Sequence, residues 1–306
     1  MIIEPSGESN KDESNAVVVV TNREFYHYAK ALVNSIRANW EDHPEVLLFV
    51  RKDPTGKWTP TEDPVEDART IEYDPADFEY RKLLSDGNQA FGTQAFNDAG
   101  FFILNAWGDL LSKYDTVLVL DADMLVLKNL NALLHDESFF GVSAANERLL
   151  PVFNVPGSIP KKIAGLVTAY AAALAEGIYV PPHVSLNSGV IRLARRDRTR
   201  QDYLKLLDLT KKFRQYCMSD QEIILLWSKL RKKPISMDFR FNFQARFYNA
   251  IAEGSLPKKF APEVVKASND VHILHFNGPK PDTPGFLQHA WTRGRTDLKE
   301  LFYSYL

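Results

Sequence analysis

The chain has 306 residues, of which 45% are hydrophobic and 25% charged, and its formal net charge is -2. This length and composition suit one large globular core. The near-neutral charge disfavours a nucleic-acid-binding protein, which would show a basic excess or a basic stripe. No apolar run approaches the roughly 20 residues that a membrane helix requires. We therefore expect no nucleic-acid partner and no membrane segment.

The cysteine content and the N-terminus point to a reducing compartment. Cys217 is the only cysteine, so an intrachain disulfide is impossible. Residues 1–15 are polar and acidic, unlike a signal peptide, and we predict a disordered leader. The expected location is cytoplasmic.

Apolar runs and helical periodicities alternate along the rest of the chain. Strands are predicted over 16–20, 45–50, 116–120, 139–144 and 184–193, and helices over 25–39, 101–111, 161–176, 199–213 and 219–230. Residues 51–80 are expected to form a loop or short edge elements, 146–160 an irregular stretch, and 270–291 a strand followed by a turn region. This alternation predicts an α/β protein with a Rossmann-like, mostly parallel sheet flanked by helices. We expect a single domain over 16–290 and a C-terminal helix or tail over 291–306.

Two carboxylates end the predicted strand at 116–120. Asp121 and Asp123 are separated by Ala122 and would lie on one side of the strand. Ligands bind at the carboxyl ends of central strands in open α/β sheets. Carboxylate oxygens there suit a hard divalent cation carrying a phosphate-bearing ligand. A strand-end turn in which the aspartates cap the next segment is the alternative.

Three further polar sets adjoin predicted strands or helices. Thr21-Asn22 ends the first strand, where Asn22 could read a base or simply cap the helix. Asn187-Ser188-Gly189 interrupts an apolar strand and could contact sugar hydroxyls or form a bulge. Asp220-Gln221 opens a helix, where a carboxylate is favoured and the pair could serve as an N-cap alone.

Four motifs in a fixed order resemble glycosyltransferase family 8. They are VLDADMLVLKNL, SLNSGV, SDQ and LHFNGPKP, and the opening VVVVTNREFY with AKALVNSI is most similar to the glycogenin-like members. The similarity spans roughly residues 16–285. It implies a GT-A fold and retaining transfer of a hexose from a UDP-sugar, such as UDP-glucose, to a hydroxyl of a glycan or protein. It also implies a divalent metal, Mn²⁺ or Mg²⁺.

The resemblance assigns roles to individual residues. The implied metal ligands are Asp121, Asp123 and His275, with His272 expected to point to the other side of its strand. The implied catalytic residues are Asp220 and Gln221. The implied donor contacts are Thr21, Asn22, an aromatic at Phe25 or Tyr26, Asp98, Asn105, Ala122, Asn187, Ser188, Gly278 and Lys280.

The chain also departs from the family pattern. The segment 101–105 lacks the basic residue found in many relatives, with Asn105 as its neutral substitute, and no acid lies between Gly177 and Asn187. These departures leave open a non-catalytic nucleotide-sugar or glycan-binding protein. A haloacid-dehalogenase-type phosphatase is disfavoured, because its aspartate motif normally lies near the N-terminus.

The acceptor is open within the enzyme class. Glycogenin-like self-glucosylation would require an exposed tyrosine, and Tyr170, Tyr179 and Tyr248 are candidates. A homodimer would let one protomer modify its partner.

Overall fold

The computed structural model describes residues 15–84, 94–144, 159–181, 184–217 and 219–306. The predicted leader, apart from Asn15, and nearly all of the predicted irregular stretch at 146–160 lie outside these ranges.

Strands and helices alternate through most of the described chain. The strands are β1 (Asn15–Thr21), β2 (Glu45–Arg51), β3 (Ala68–Tyr73), β4 (Thr116–Asp121), β5 (Met124–Val126), β6 (Gly141–Val142), β7 (Asn187–Ala194), β8 (Ile235–Ser236), β9 (Phe243–Gln244) and β10 (Ile273–His275). The helices are α1 (Tyr26–Asn39), α2 (Glu79–Leu84), α3 (Gln94–Phe102), α4 (Asn131–His135), α5 (Ile159–Ala175), α6 (Arg200–Phe213), α7 (Asp220–Leu230), α8 (Arg246–Ala252), α9 (Ala261–Ser268) and α10 (Thr296–Tyr303).

A seven-stranded sheet in the order β3-β2-β1-β4-β7-β6-β8 forms the centre of the protein. The first four strands in this order are parallel to one another. Strand β7 runs antiparallel to both β4 and β6, while β6 and β8 are parallel. The reversal brings the amino end of β7 to the edge where β1 and β4 have their carboxyl ends.

Both faces of this sheet are buried, which explains its continuous apolar strands. In β1, Val17 and Val19 join one hydrophobic cluster, with residues of α1, α9 and α10. Ala16 and Val18 join the other, with residues of α3, α6 and α7. The side chains alternate between the two clusters because successive residues of a strand point to opposite faces.

A second sheet of three short strands, in the order β5-β10-β9, follows directly from the end of β4. Strand β10 is antiparallel to β5, with His275 opposite Met124, and parallel to β9, with His275 opposite Gln244. This small sheet carries residues near 274 back to the end of β4, although about 150 residues separate them along the chain.

The predicted elements are largely present, with three differences in detail. The helix predicted over 101–111 is instead the end of α3 followed by two 3-10 segments, Ile103–Trp107 and Asp109–Leu111. The strand predicted over 139–144 shortens to Gly141–Val142. Asn187-Ser188-Gly189 does not interrupt its strand but begins it.

The fold class is confirmed: the protein is α/β with a large, mostly parallel sheet flanked by helices. Within the described ranges, no helix combines the length and the apolar character needed to cross a membrane.

Candidate active site

A cleft of about 510 Å³ lies at the edge where β1 and β4 end and β7 begins. This volume falls in the range typical of small-molecule sites. Most of the residues predicted to act together line it, namely Thr21, Asn22, Phe25, Asp121, Ala122, Asp123, Asn187, Ser188, Asp220, Gln221, His275, Gly278 and Lys280. The fold therefore brings five separate stretches of the chain to one place.

Asp121, Asp123 and His275 form a compact cluster in this cleft. One ligand atom from each lies within 4.8 Å of the others. The Nε2 atom of His275 is 3.3 Å from Oδ1 of Asp123 and 3.7 Å from Oδ2 of Asp121. Two carboxylates and one imidazole are a donor set that suits Mn²⁺, which accepts both oxygen and nitrogen ligands. The three residues could therefore hold a divalent metal, and their donor atoms fit one.

A chain of hydrogen bonds orients the imidazole of His275. The backbone N–H of Gly189 donates to Oδ1 of Asn187, which also accepts from Nδ2 of Asn242, at 2.9 Å in each case. The side-chain oxygen of Asn242, Oδ1, lies 2.9 Å from Nδ1 of His275. Because the backbone N–H of Gly189 can only donate, the Asn187 atom that it meets must be the oxygen. Asn242 must then donate its N–H to that oxygen, which leaves the oxygen of Asn242 to accept from Nδ1 of His275.

The consequence of this chain is a defined tautomer of His275. Nδ1 carries the proton that Asn242 accepts, so Nε2 is the ring nitrogen that faces the two aspartates, where it can donate to Asp123 or, once deprotonated, ligate a metal. A ligating histidine in proteins usually donates its other N–H to such a partner. His272, by contrast, lies near Asn129 and Asp270 and outside the cleft.

Gly189 is placed where only glycine fits without displacement. A Cβ atom built there would lie 2.8 Å from Oδ2 of Asp121 and 2.9 Å from Oδ1 of Asn187, and it would also collide with the Met124 side chain. The absence of a side chain lets the start of β7 approach the end of β4.

Lys280 lies against the candidate metal-binding cluster of Asp121, Asp123 and His275. Its ammonium group contacts Oδ2 of Asp123 and donates to the carbonyl of Phe276 at 2.7 Å. Burial favours the neutral form of Asp123, but Lys280 and His275 outweigh this effect and hold its pKa well below the usual range. For Asp121, burial outweighs the attraction of His275 and raises the pKa above its usual value.

Asp220 and Gln221 begin α7 on the opposite wall. Ser219 and Glu222 form a capping box at this end, so the N-cap function belongs to Ser219. Gln221 accepts the backbone N–H of Ser188 at 3.3 Å, which ties α7 to β7. Burial, followed by the nearby charge of Asp121, raises the pKa of Asp220 to about 8. Asp220 is thus freed from capping and faces the cleft.

The end of β1 forms the remaining wall. Oδ1 of Asn22 accepts the backbone N–H of Phe25 at 3.0 Å, so Asn22 caps the following turn and still lines the cleft. Phe25 is half-buried, and the Lys280 ammonium lies 5.7 Å from its ring centroid. An aromatic face and a cation are therefore next to each other at this end.

Three of the predicted donor contacts lie away from the cleft. The hydroxyl of Tyr26 donates to the carbonyl of Asp63 at 2.8 Å. The carboxylate of Asp98 is bound by Arg51 and Arg81 at 2.9 and 3.2 Å. Asn105 donates to the carbonyl of Phe102 at 2.9 Å and accepts from Tyr203 at 3.0 Å.

Asn242 is the main residue that sequence patterns did not single out. It lies between α7 and β9, far from every recognised motif, and only its position beside His275 reveals its role. Gly100 is a second: a Cβ there would lie 3.2 Å from Oδ1 of Asp220, so α3 packs closely against the start of α7.

Comparison with known proteins identifies the protein family to which this fold and cleft belong. The family model described as glycosyl transferase family 8 matches residues 16–281. The chain therefore belongs to glycosyltransferase family 8. A comparison with curated proteins found no significant sequence match.

Several solved structures share the fold. The bifunctional glycosyltransferase WbbM, at 13% identity and a TM-score of 0.61, covers 99% of this chain, which spans only 53% of WbbM. The galactosyltransferase LgtC, solved with donor and acceptor sugar analogues, has 19% identity, a TM-score of 0.55 and 95% coverage of both chains. Mouse xyloside xylosyltransferase 1 has 16% identity and a TM-score of 0.51, covering 86% of this chain and 97% of its own. At these identities the likeness shows the fold alone, which is that of the GT-A glycosyltransferases.

Proposed function

We propose that the protein is a metal-dependent retaining glycosyltransferase that moves a hexose from a UDP-sugar to a hydroxyl group. The cluster of Asp121, Asp123 and His275 carries this proposal, because its donor atoms converge in a cleft that Lys280 also lines. A divalent ion bound there would neutralise the negative charge that develops on the leaving diphosphate.

The chain's own residues would bind the donor in a defined direction. Lys280 supplies a cation for the diphosphate oxygens, and the lysine can leave Asp123 when that carboxylate binds a metal. Phe25 offers a ring face and Asn22 a polar edge at the end where a uracil base would lie. Base stacking on an aromatic side chain contributes about 1–3 kcal/mol in other systems.

Asp220 and Gln221 would flank the reacting sugar carbon. Retention of configuration requires either a double displacement or attack from the face that the diphosphate leaves. Both residues line the same cleft as the metal-binding cluster. We propose that they stabilise the oxocarbenium-like transition state, with Ser188 holding Gln221 in position through the 3.3 Å hydrogen bond.

The acceptor is a carbohydrate or protein hydroxyl, and self-glucosylation of the glycogenin type is one form of this proposal. Tyr179 is the most accessible of the three candidate tyrosines, with 69% of its surface exposed. Tyr248 is half-buried, with the Arg295 guanidinium 4.1 Å from its ring centroid. Transfer to Tyr179 would fit modification across a homodimer.

We also propose a cytoplasmic location, which the single, buried Cys217 supports.

The proposed function is tested by donor binding and turnover together. We expect UDP to bind much more tightly with manganese than with a chelator, and we expect slow release of the sugar from one member of a UDP-sugar panel. Calorimetry and product analysis measure the two. Metal-dependent UDP binding without any hydrolysis or transfer would favour the non-catalytic sugar-nucleotide-binding protein. Absence of UDP binding with manganese would contradict both.

Asn242→Ala should weaken metal binding, although Asn242 is not one of the proposed metal ligands. The substitution removes the acceptor that keeps Nδ1 of His275 protonated, and such partners typically change metal affinity 10–100-fold. We expect a similar loss in manganese affinity, measured by titration of the folded variant. Asn269→Ala, at an exposed asparagine, is the matched control. An unchanged manganese affinity in Asn242→Ala would show that the tautomer is set in another way.

A further inference from the structure

A group of three side chains lies immediately beside the metal-binding cluster and takes no part in the donor contacts described above. It consists of Gln244, Arg246 and Trp291, which we call the flanking site. Gln244 lies opposite His275 in the pairing of β9 with β10, so the two side chains share one face of the small sheet. The backbone N–H of Ala245 donates to the carbonyl of His275 at 2.9 Å, which fixes Arg246 one residue further on.

Trp291 connects this group to the cleft. Its ring packs against Gly278, where a Cβ atom would lie 2.8 Å from the ring, and Gly278 lines the cleft. Gly278 also has a positive φ of 113°, so the approach of the ring depends on glycine at this position. The guanidinium of Arg246 lies over the same ring at 5.3 Å from its centroid. Trp291 remains 44% exposed, so part of its indole is open to a ligand.

The polar groups of the flanking site have unfilled hydrogen-bonding capacity. Gln244 is fully buried, and neither its Oε1 nor Nε of Arg246 has a hydrogen-bond partner in residues 15–84, 94–144, 159–181, 184–217 and 219–306. Among the described residues, the only hydrogen-bond acceptor that either side chain reaches is the carbonyl of Ala144, at 3.5 Å for Gln244 and 3.3 Å for Arg246. These distances are at the long limit for such bonds. Buried polar groups in folded proteins are nearly always paired, so this pair is unusual.

Within the part of the chain that the structure describes, Arg246 also lacks a counter-charge. No carboxylate among the described residues forms an ion pair with it, and burial alone lowers its pKa from the ordinary value. A largely enclosed guanidinium without a carboxylate partner is costly unless a ligand supplies the anion. Its planar fork matches the two oxygens of a carboxylate or phosphate.

We propose that the flanking site binds the acceptor, and that this acceptor is a sugar bearing a carboxylate or a phosphate. The sugar ring packs on the exposed face of Trp291 and its anionic group pairs with the guanidinium of Arg246, while Gln244 lies behind Arg246 on the buried side. The acceptor hydroxyl then reaches the cleft past Gly278. This inference rests on the proposed transferase activity for its place in the reaction, but the binding itself can be tested alone.

Ligand-observed NMR with UDP and Mg²⁺ present tests the binding step. The probes are methyl β-glucuronide, glucose 6-phosphate and the neutral methyl β-glucoside. We expect at least one anionic probe to bind the wild-type protein tenfold or more tightly than the neutral one, and the identity of that probe distinguishes carboxylate from phosphate recognition. Arg246→Gln should abolish the preference, and Arg246→Lys should retain part of it because the charge remains while the fork is lost.

The control is Arg293→Gln, an exposed arginine close to Trp291 in sequence, which should bind all probes like the wild type. Equal binding of charged and neutral sugars by the wild-type protein would overturn the inference, as would an anion preference that persists in Arg246→Gln. UDP binding is measured in the same samples. Its loss would count against the proposed donor site, whereas its retention with no anion preference would count only against the flanking site.

Discussion

Asp123→Ala should abolish manganese-dependent UDP binding and lower turnover by roughly 10³-fold. Asp123 supplies Oδ1 towards His275 and Oδ2 towards Lys280, so its removal affects the candidate metal-binding cluster and the lysine together. The backbone of Asp123 should be unaffected, since its carbonyl accepts the N–H of Phe276 at 3.0 Å independently of the side chain. Folding should therefore survive the substitution.

The measurement must separate metal-dependent from metal-independent binding. Without Asp123, Lys280 loses its carboxylate partner and can attract a diphosphate by itself. UDP affinity is therefore measured with manganese and with a chelator, and the expected result is that the difference between the two disappears. Asp115→Ala is the matched control, because Asp115 precedes the same strand at its other end and its side chain is 58% exposed.

Two outcomes would contradict the role of Asp123. Undiminished manganese-dependent UDP binding would remove Asp123 from the metal site. Loss of the folded state, also seen in the closer mimic Asp123→Asn, would mean that the carboxylate mainly stabilises the end of β4.

Gly189→Ala should lower turnover about 10²-fold while leaving most of the protein folded. The added Cβ would lie 2.8 Å from Oδ2 of Asp121, closer than real Cβ contacts, and would also press on Asn187 and the Met124 side chain. The Met124 side chain can rotate away, but Asp121 must move away from the metal position. Displacements of about 1 Å at a reacting site can cost 10²-fold in rate.

The same substitution also disturbs the hydrogen bonds that lead to His275. Asn187 would be 2.9 Å from the new Cβ, and its oxygen accepts both from Gly189 and from Asn242. We expect weaker manganese binding along with the slower turnover, and an overpacking cost of about 1–3 kcal/mol in the free energy of unfolding.

Gly285→Ala controls for a glycine-to-alanine change alone, because a Cβ there meets no atom within 4 Å. Turnover, manganese affinity and denaturant unfolding are compared across the three proteins. A Gly189→Ala variant with wild-type turnover and manganese affinity would show that the approach of β7 to Asp121 is not required.

Sequence patterns predicted much of the central sheet because its strands are buried on both faces. Runs such as Val17–Val20 and Val117–Leu120 are continuously apolar, and that pattern is strong over a short length. The pattern was less informative where local preference and tertiary contacts compete. Residues 103–111 have a helical periodicity, yet they form two 3-10 segments separated by Gly108.

Separate motifs predicted most of the cleft residues, but they did not distinguish cleft from core for every one. Phe25 and Tyr26 are adjacent and both aromatic, and only the start of α1 decides that Phe25 lines the cleft while Tyr26 is buried against Asp63. Asp98 is a similar case, because it was predicted to contact the donor sugar. Its carboxylate is bound by Arg51 and Arg81, and it does not line the cleft.

Local sequence patterns were sufficient to predict an α/β sheet with two aspartates at a strand end, because buried strands and closely spaced carboxylates can be recognised from a few adjacent residues. The residues that surround Asp121 and Asp123 became evident only from the folded chain. The antiparallel β7 brings Asn187 and Gly189 to that edge, and the small sheet brings His275, Asn242 and Gln244. These contacts join residues far apart along the chain, and no local periodicity encodes which distant segments will meet.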